Sequence, residues 1–267
     1  MIAMAFLKLN DAQLFYQWDG PENTPVVFFS NSLGSTHRMW DPQLEAFTQQ
    51  FRVLRYDGRG HGESTATPGP YSIEQLAGDV VQLFDALKLD RVYYCGLSMG
   101  GMIGMHLGAT HPARLHKMVL CNTAAKIGTP DVWNARITTV QAGGMKAVAG
   151  AVIDRWLTAG YRAAHPRETA EVLSMLEGCD PAGYAATCAA VRDADFREKL
   201  AAVRVPTQII AGTHDPATPP ADGRALSELI RGAKYTELSA AHLSNIEARD
   251  DFNREALAFL KSQGAHG

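Results

Sequence analysis

The sequence predicts an α/β protein with a mostly parallel central sheet flanked by helices and an inserted helical cap. Three observations carry that expectation. Apolar β-branched and aromatic runs alternate with helical-period segments over 26–121 and again from 207 onward, the pattern of parallel strands joined by crossover helices. The run RVYYCGLSMGGMIG at 91–104 passes from a strand through a glycine-crowded turn at Ser98 into a helix, an arrangement that projects a side chain from the sheet's rim. From about 123 to 203 strand signals vanish and helical patterning takes over, so the core divides into 1–122 and 204–267 around a cap at 123–203.

With 267 residues the chain can bury the core of one large domain. Hydrophobic residues at 46%, charged residues at 20% and a net charge of −3 offer no basic surface for nucleic acid. Residues 1–7 are apolar, but no basic leader accompanies them and Lys8 and Asp11 interrupt the run, so neither a signal nor a membrane span is expected and the location expected is cytoplasmic. Cys95, Cys121, Cys179 and Cys188 form no C-x-x-C pair, and no metal, cofactor or disulfide framework is expected. None of these patterns encodes oligomeric state.

In chain order, 6–9 and 13–18 flank an Asn10-Asp11 turn signal and predict a hairpin. The continuous apolar run at 26–30 reads as a strand buried on both faces. After the loop Asn31-Ser32-Leu33-Gly34-Ser35, Asp41 followed by Pro42 predicts a capped helix to about Gln50, and 51–56 returns as a strand. The glycine-alternating run at 57–64 has the look of a phosphate loop, but it lacks G-x-x-x-x-G-K-S/T and no helix starts directly behind it; a tight rim loop is the simpler reading. Ser72 with Gln75 forms a capping box ahead of Ile73, Leu76, Ala77, Val80, Phe84 and Leu87 at helical spacing. A helix over 102–111 ended by Pro112 follows Ser98, then a strand at 117–121. Within the cap, Thr129-Pro130-Asp131 starts a helix that Gly143-Gly144 breaks, and 148–157 and 168–176 continue helical. Strands at 207–211 and 234–238 and helices at 221–230 and 251–262 complete the pattern.

Ligands of parallel sheets sit at the carboxyl ends of the strands, so chemistry should lie just after strands. Serine-dependent acyl transfer needs a nucleophile, a base, an acid to orient the base, and oxyanion donors. Ser98 is the candidate nucleophile; a glycine-rich turn with an exposed serine is the plain alternative. Of nine histidines, His242 alone follows the final strand and is the candidate base. His61 in the glycine loop is its rival, and His106 and His111 read as packing or surface groups. Asp215 follows the 207–211 strand in Gly212-Thr213-His214-Asp215-Pro216; it is the candidate acid, with a turn aspartate before proline as the alternative. The other post-strand position open to an acid holds Asn122. Nucleophile, acid and base then occur in the order associated with α/β-hydrolases. The backbone amides of Leu33 and Met99 are the candidate oxyanion donors.

With the elbow, the Gly58-Arg59-Gly60-His61-Gly62 loop, Gly212-x-x-Asp215 and the late His242 in order, the whole chain resembles an α/β-hydrolase. More narrowly, Ser30-Asn31-Ser32-Leu33-Gly34, Gly96-Leu97-Ser98-Met99-Gly100-Gly101 and Ala241-His242-Leu243-Ser244-Asn245-Ile246-Glu247 resemble the 3-oxoadipate enol-lactonases of aromatic degradation. The elbow and acid loop are shared with esterases, perhydrolases and ring-cleavage hydrolases, and some ligand receptors of this fold keep a triad with little turnover. Asn31-Ser32 stands where many of these hydrolases carry His-Gly. The resemblance implies a small lactone or ester bearing a carboxylate as partner. Such a substrate demands a cation in the cap: Trp133 and Arg136 are spaced i, i+3 on its first helix and share a face. A solvated arginine beside a core tryptophan is the plain alternative, and Arg155, Arg162 and Arg192 are rival cations.

Overall fold

The elements expected from alternating periodicity form in the computed structural model, which describes residues 3–262. In chain order they are β1 (Ala3–Lys8), β2 (Gln13–Asp19), β3 (Val26–Ser30), α1 (Leu44–Phe47), β4 (Arg52–Tyr56), α2 (Ile73–Ala86), β5 (Val92–Leu97), α3 (Met99–Thr110) and β6 (Leu115–Cys121). There follow α4 (Pro130–Gly143), α5 (Lys146–Trp156), α6 (Ala159–Ala164), α7 (Pro166–Glu177) and α8 (Pro181–Asp193). The chain closes with β7 (Thr207–Gly212), α9 (Pro220–Leu229), β8 (Lys234–Leu238), α10 (Ser244–Glu247) and α11 (Arg249–Lys261). One eight-stranded sheet has the order β1-β2-β4-β3-β5-β6-β7-β8. The β1–β2 and β2–β4 pairs are antiparallel and the rest are parallel. Val27, Phe28 and Phe29 are fully buried, as a strand covered by helices on both faces requires.

Register places the chemistry. Ser30 pairs with Gly96 and Leu97 with Cys121, so the loops leaving β3, β5 and β6 emerge side by side at the carboxyl edge. Gly212 pairs with Leu238, which brings the loops after β7 and β8 to the same rim.

The helix expected from Asp41 to Gln50 forms differently. A 3-10 turn spans His37–Gln43, capped by Thr36, and α1 is only four residues long. Asp41 does not cap because its carboxylate accepts a 2.5 Å bond from the buried Arg55. Thr36 takes over by accepting from the amide of Arg38. α3 begins at Met99, three residues before the sequence signal, and its glycines are helical because packing demands them. A Cβ at Gly104 would lie 2.6 Å from the Tyr94 ring, so α3 can approach β5 only without side chains there.

Between β6 and β7 the described chain holds only helices. α6 and α8 were not legible in the sequence. Buried from Gly183 to Val191, α8 lacks the polar stripe by which an amphipathic helix announces itself. Its start is conventional: Asp180 accepts from the amide of Gly183 at 2.7 Å and Pro181 occupies the first turn. The four cysteines are buried free thiols. No helix among the described residues is long and apolar enough to cross a membrane.

Candidate active site

Ser98 sits between β5 and α3 with φ 56° and ψ −112°, a conformation that costs a non-glycine residue about 1–3 kcal/mol and persists only when its surroundings enforce it. They do so from both sides. The Ser98 amide donates to the Cys121 carbonyl at 2.9 Å, and its own carbonyl accepts from the Met102 amide at 3.0 Å and from Thr123 Oγ1 at 2.8 Å. The flanking glycines permit the turn: a Cβ on Gly96 would lie 2.3 Å from the Gly100 carbonyl oxygen, and one on Gly100 would lie 2.2 Å from that of Ser30. Because backbone on both sides blocks relaxation, Gly100→Ala is expected to destabilise the fold by about 3 kcal/mol. Thermal or denaturant unfolding checks this; an unchanged midpoint would refute the account of the turn.

His242 follows β8, and its Nδ1 lies 2.8 Å from Asp215 Oδ2. A carboxylate beside Nδ1 requires the ring proton there, which leaves Nε2 free to accept one. Asp215 is buried and its two oxygens are fully engaged. Oδ1 accepts from the amides of Ala217 and Thr218 at 2.8 and 3.1 Å, and Oδ2 also accepts from Thr218 Oγ1 at 2.7 Å and Asn122 Nδ2 at 3.0 Å. Burial works to raise its pKa, but the charge and hydrogen bond of His242 and the donors Asn122 and Thr218 outweigh it and hold the carboxyl below its ordinary value.

Asn122 is more than the absence of a rival acid. At φ 44°, its amide also donates to the Ala241 carbonyl at 3.2 Å while its Oδ1 accepts from Ser244 Oγ at 2.5 Å. One side chain thus ties Asp215 to both sides of His242. His61, the rival base, is buried elsewhere. Its Nε2 accepts from the Gly34 amide at 2.9 Å and its Nδ1 donates to the Arg59 carbonyl at 3.2 Å. Burial pushes its pKa down, against the Arg59 carbonyl and the Asp57 charge, so it stays neutral and pins the loop after β3. Arg59 is committed to Asp79 and Asp11 at 2.8 Å each, which leaves the glycine loop no free cation for a phosphate.

The amides of Leu33 and Met99 donate to no protein acceptor among the described residues, whereas their neighbours do. Ser32 donates to Met39 Sδ, Gly34 to His61, Ser98 to Cys121 and Gly100 to Asn31. Two unspent donors beside Ser98 suit an oxyanion. Asn31 makes the loop rigid without the usual His-Gly. Its Nδ2 donates to the Tyr56 carbonyl at 2.7 Å, its Oδ1 accepts from Trp40 Nε1 at 3.0 Å, and its carbonyl accepts from Gly100.

Ser98, His242 and Leu33 line a cavity of about 180 Å³ whose wall also includes Trp133 and Arg136 of α4 and Arg155 and Trp156 of α5. The Arg136 guanidinium stacks 4.7 Å from the Trp133 ring centroid, and Trp133 is fixed by donating to the Ile127 carbonyl at 2.7 Å. Of the rival cations, Arg155 shares the cavity, whereas Arg162 pairs with Asp154 and Arg192 with Asp193 outside it. A larger groove of about 600 Å³, bounded by Arg38, Tyr161, Glu168 and Asp251, contains none of Ser98, Asp215 and His242, so size is a poor guide here. No group of three or more metal-ligating side chains is assembled among the described residues.

A sequence model of the alpha/beta hydrolase fold matches residues 25–172. The chain belongs to that family. Among its relatives, the 3-oxoadipate enol-lactonases 1 and 2 of Acinetobacter baylyi are 39% and 38% identical, over 93% and 96% of both chains. A putative carbamate hydrolase RutD of Variovorax paradoxus is 30% identical over 95% of this chain and 98% of its own. The crystal structure of the enol-lactonase from Burkholderia xenovorans LB400 superposes with a TM-score of 0.95 at 46% identity, covering 97% of this chain and all of the other.

One further feature of this hydrolase had no visible signal in the sequence. Glu247 accepts from the Ala241 amide at 2.9 Å and from Thr158 through both its amide, at 3.2 Å, and its hydroxyl. Beside it, the Leu243 amide donates to the Trp156 carbonyl at 2.9 Å and the His242 amide makes a longer 3.4 Å contact with that of Arg155. The segment carrying His242 is therefore laced to the end of α5 and the start of α6.

Proposed function

We propose that the protein is a serine lactone hydrolase that opens 3-oxoadipate enol-lactone to 3-oxoadipate, a step in the breakdown of protocatechuate and catechol in the cytoplasm, with 123–203 acting as the cap over the site. The observation that carries this reading is the convergence of Ser98, the His242–Asp215 pair and two cap arginines on one small cavity. The enol-lactonase relatives support it.

In this mechanism His242 Nε2 takes the Ser98 proton as Oγ attacks the lactone carbonyl, and the amides of Leu33 and Met99 hold the oxyanion. The bond from acyl carbon to ring oxygen then breaks, and the electron pair leaves with the ring oxygen as an enolate. An enolate is a better leaving group than an alkoxide and tautomerises to the ketone once protonated. Water deprotonated by His242 releases the second carboxylate from Ser98. Loss of enol-lactone absorbance with purified protein tests the reading. Sustained turnover supports an enzyme, whereas a burst that stops at one equivalent would mark a receptor on this fold.

Arg136, stacked on Trp133, binds the substrate's pendant carboxylate through its planar fork while tryptophan supplies an apolar wall. Charged hydrogen bonds of this kind contribute about 1.5–3 kcal/mol, so Arg136→Met should raise KM for the anionic lactone roughly tenfold to a hundredfold. KM for a neutral aryl ester should hardly move. Equal effects on both would give Arg136 a packing role only.

A further inference from the structure

The cap carries six arginines, at 136, 155, 162, 167, 192 and 197, and four of them are neutralised. Arg162 pairs with Asp154, Arg167 with Glu171, Arg192 with Asp193 and Arg197 with Asp195. Among the described residues Arg136 and Arg155 have no carboxylate partner, and these are the two that line the cavity above Ser98. Arg155 is partly buried, and among the described residues its side chain makes one hydrogen bond, from Nε to the Ala151 carbonyl at 3.1 Å. Burial, and then the nearness of Arg136, lower its pKa. Two like charges left uncompensated in so small a space are costly unless a ligand brings negative charge to them. The substrate proposed above brings one carboxylate, which accounts for one arginine.

The second charge appears during the reaction, on the ring oxygen as the acyl bond breaks. That oxygen must lie near His242, the only proton donor in the proposed machinery. Arg155 and His242 both line the cavity, and of the two cavity arginines Arg155 is the one whose backbone adjoins His242: its carbonyl contacts the His242 amide, and the next residue's carbonyl accepts from the Leu243 amide. Arg136 stands on a different helix, stacked on Trp133. We propose that Arg155 is a catalytic residue whose guanidinium hydrogen-bonds the departing ring oxygen and stabilises the enolate as the carbon–oxygen bond breaks. Arginine stays protonated throughout. The electron pair of the broken bond is shared between the oxygen and the far carbon of the enolate double bond, and the proton that quenches it comes from the His242 imidazolium. Nothing is oxidised or reduced.

The inference rests on the serine-hydrolase reading, and a leaving-group series separates the two. Acetate esters running from p-nitrophenol to unsubstituted phenol carry no carboxylate, so they remove the substrate-binding role of either arginine. Removing one donor aimed at developing charge costs about a hundredfold to a thousandfold. For Arg155→Met the expected result is therefore a loss of roughly a hundredfold in kcat/KM on the phenyl ester and little loss on the p-nitrophenyl ester, whose leaving group needs little help. The dependence on leaving-group pKa should steepen, and Arg155→Lys should restore part of it. Arg136→Met should leave the slope unchanged. Parallel lines for wild type and Arg155→Met, at whatever level, would overturn the assignment, as would a rise in KM confined to carboxylate-bearing substrates. If Arg155→Met does not fold, the Arg155→Lys slope decides: one equal to wild type overturns the proposal. A wild-type protein that turns over none of the esters would sink the serine-hydrolase reading itself.

Discussion

Replacing Ser98 by alanine will lower turnover roughly a millionfold, the loss typical when the nucleophile of a serine triad is removed. The fold will be unaffected, because Ser98 holds its turn through its backbone. Its amide bonds Cys121 and its carbonyl bonds Met102 and Thr123, whereas no hydrogen bond from its hydroxyl to another described residue is present. The variant should therefore melt at the wild-type temperature, since alanine keeps the same strain at φ 56°. Phosphonate labelling and peptide mapping check the assignment independently. A label on any other residue, or substantial turnover by Ser98→Ala, would reject Ser98 as nucleophile.

Asp215→Asn will cost about ten thousandfold, and the donors around the carboxylate explain why so small a change is so damaging. Oδ2 accepts from His242, Asn122 and Thr218 at once. An asparagine can offer its single carbonyl oxygen to this cluster or to the two amides on the other side, never to both. The backbone amides of Ala217 and Thr218 are fixed and hold the oxygen, so the N–H group faces His242, which relieves the conflict by moving its proton to Nε2. That tautomer cannot accept from Ser98. The same substitution has a pH signature. Despite its burial, Asp215 is held below the ordinary carboxyl range by His242 and its other donors, so its charge stabilises the fold above that range and the contribution fades as pH falls through the lower folded-state value. The stability gap between wild type and Asp215→Asn should therefore narrow in acid. A gap that stays constant down to acid unfolding would mean the carboxylate is not selectively stabilised.

Strands and the order of the chemical groups were legible because both depend on local signals. Val-Val-Phe-Phe reads as a covered strand, Ser98 directly follows β5, and Asp215 and His242 stand in the loops after β7 and β8. What stayed hidden were groups whose partners are distant in the chain. Asn122 meets Asp215 across 93 positions and Glu247 meets Thr158 across 89, and no window of sequence contains either pair. Asp41 looked like a cap because nothing nearby announces that Arg55 will claim its carboxylate. His61 was weighed as a base when its ring in fact steadies Gly34. Arg155 ranked only as a rival to Arg136, since helical spacing places side chains on faces but does not tell which face closes over a cavity.

The lacing of the His242 segment to Thr158, Trp156 and Arg155 bears on how this architecture can diversify. A cap that merely covered the site would be an interchangeable accessory, free to be traded between relatives whenever a new substrate called for it. Here each transplant would also replace the struts that seat the imidazole, and a graft lacking an equivalent of Thr158 would leave the Glu247 carboxylate half-buried and missing its cap donors. With His242 as the proposed base and 123–203 as the proposed cap, selectivity and proton transfer are inherited together, and exchanging the whole segment is a harsher experiment than altering the side chains that line the cavity.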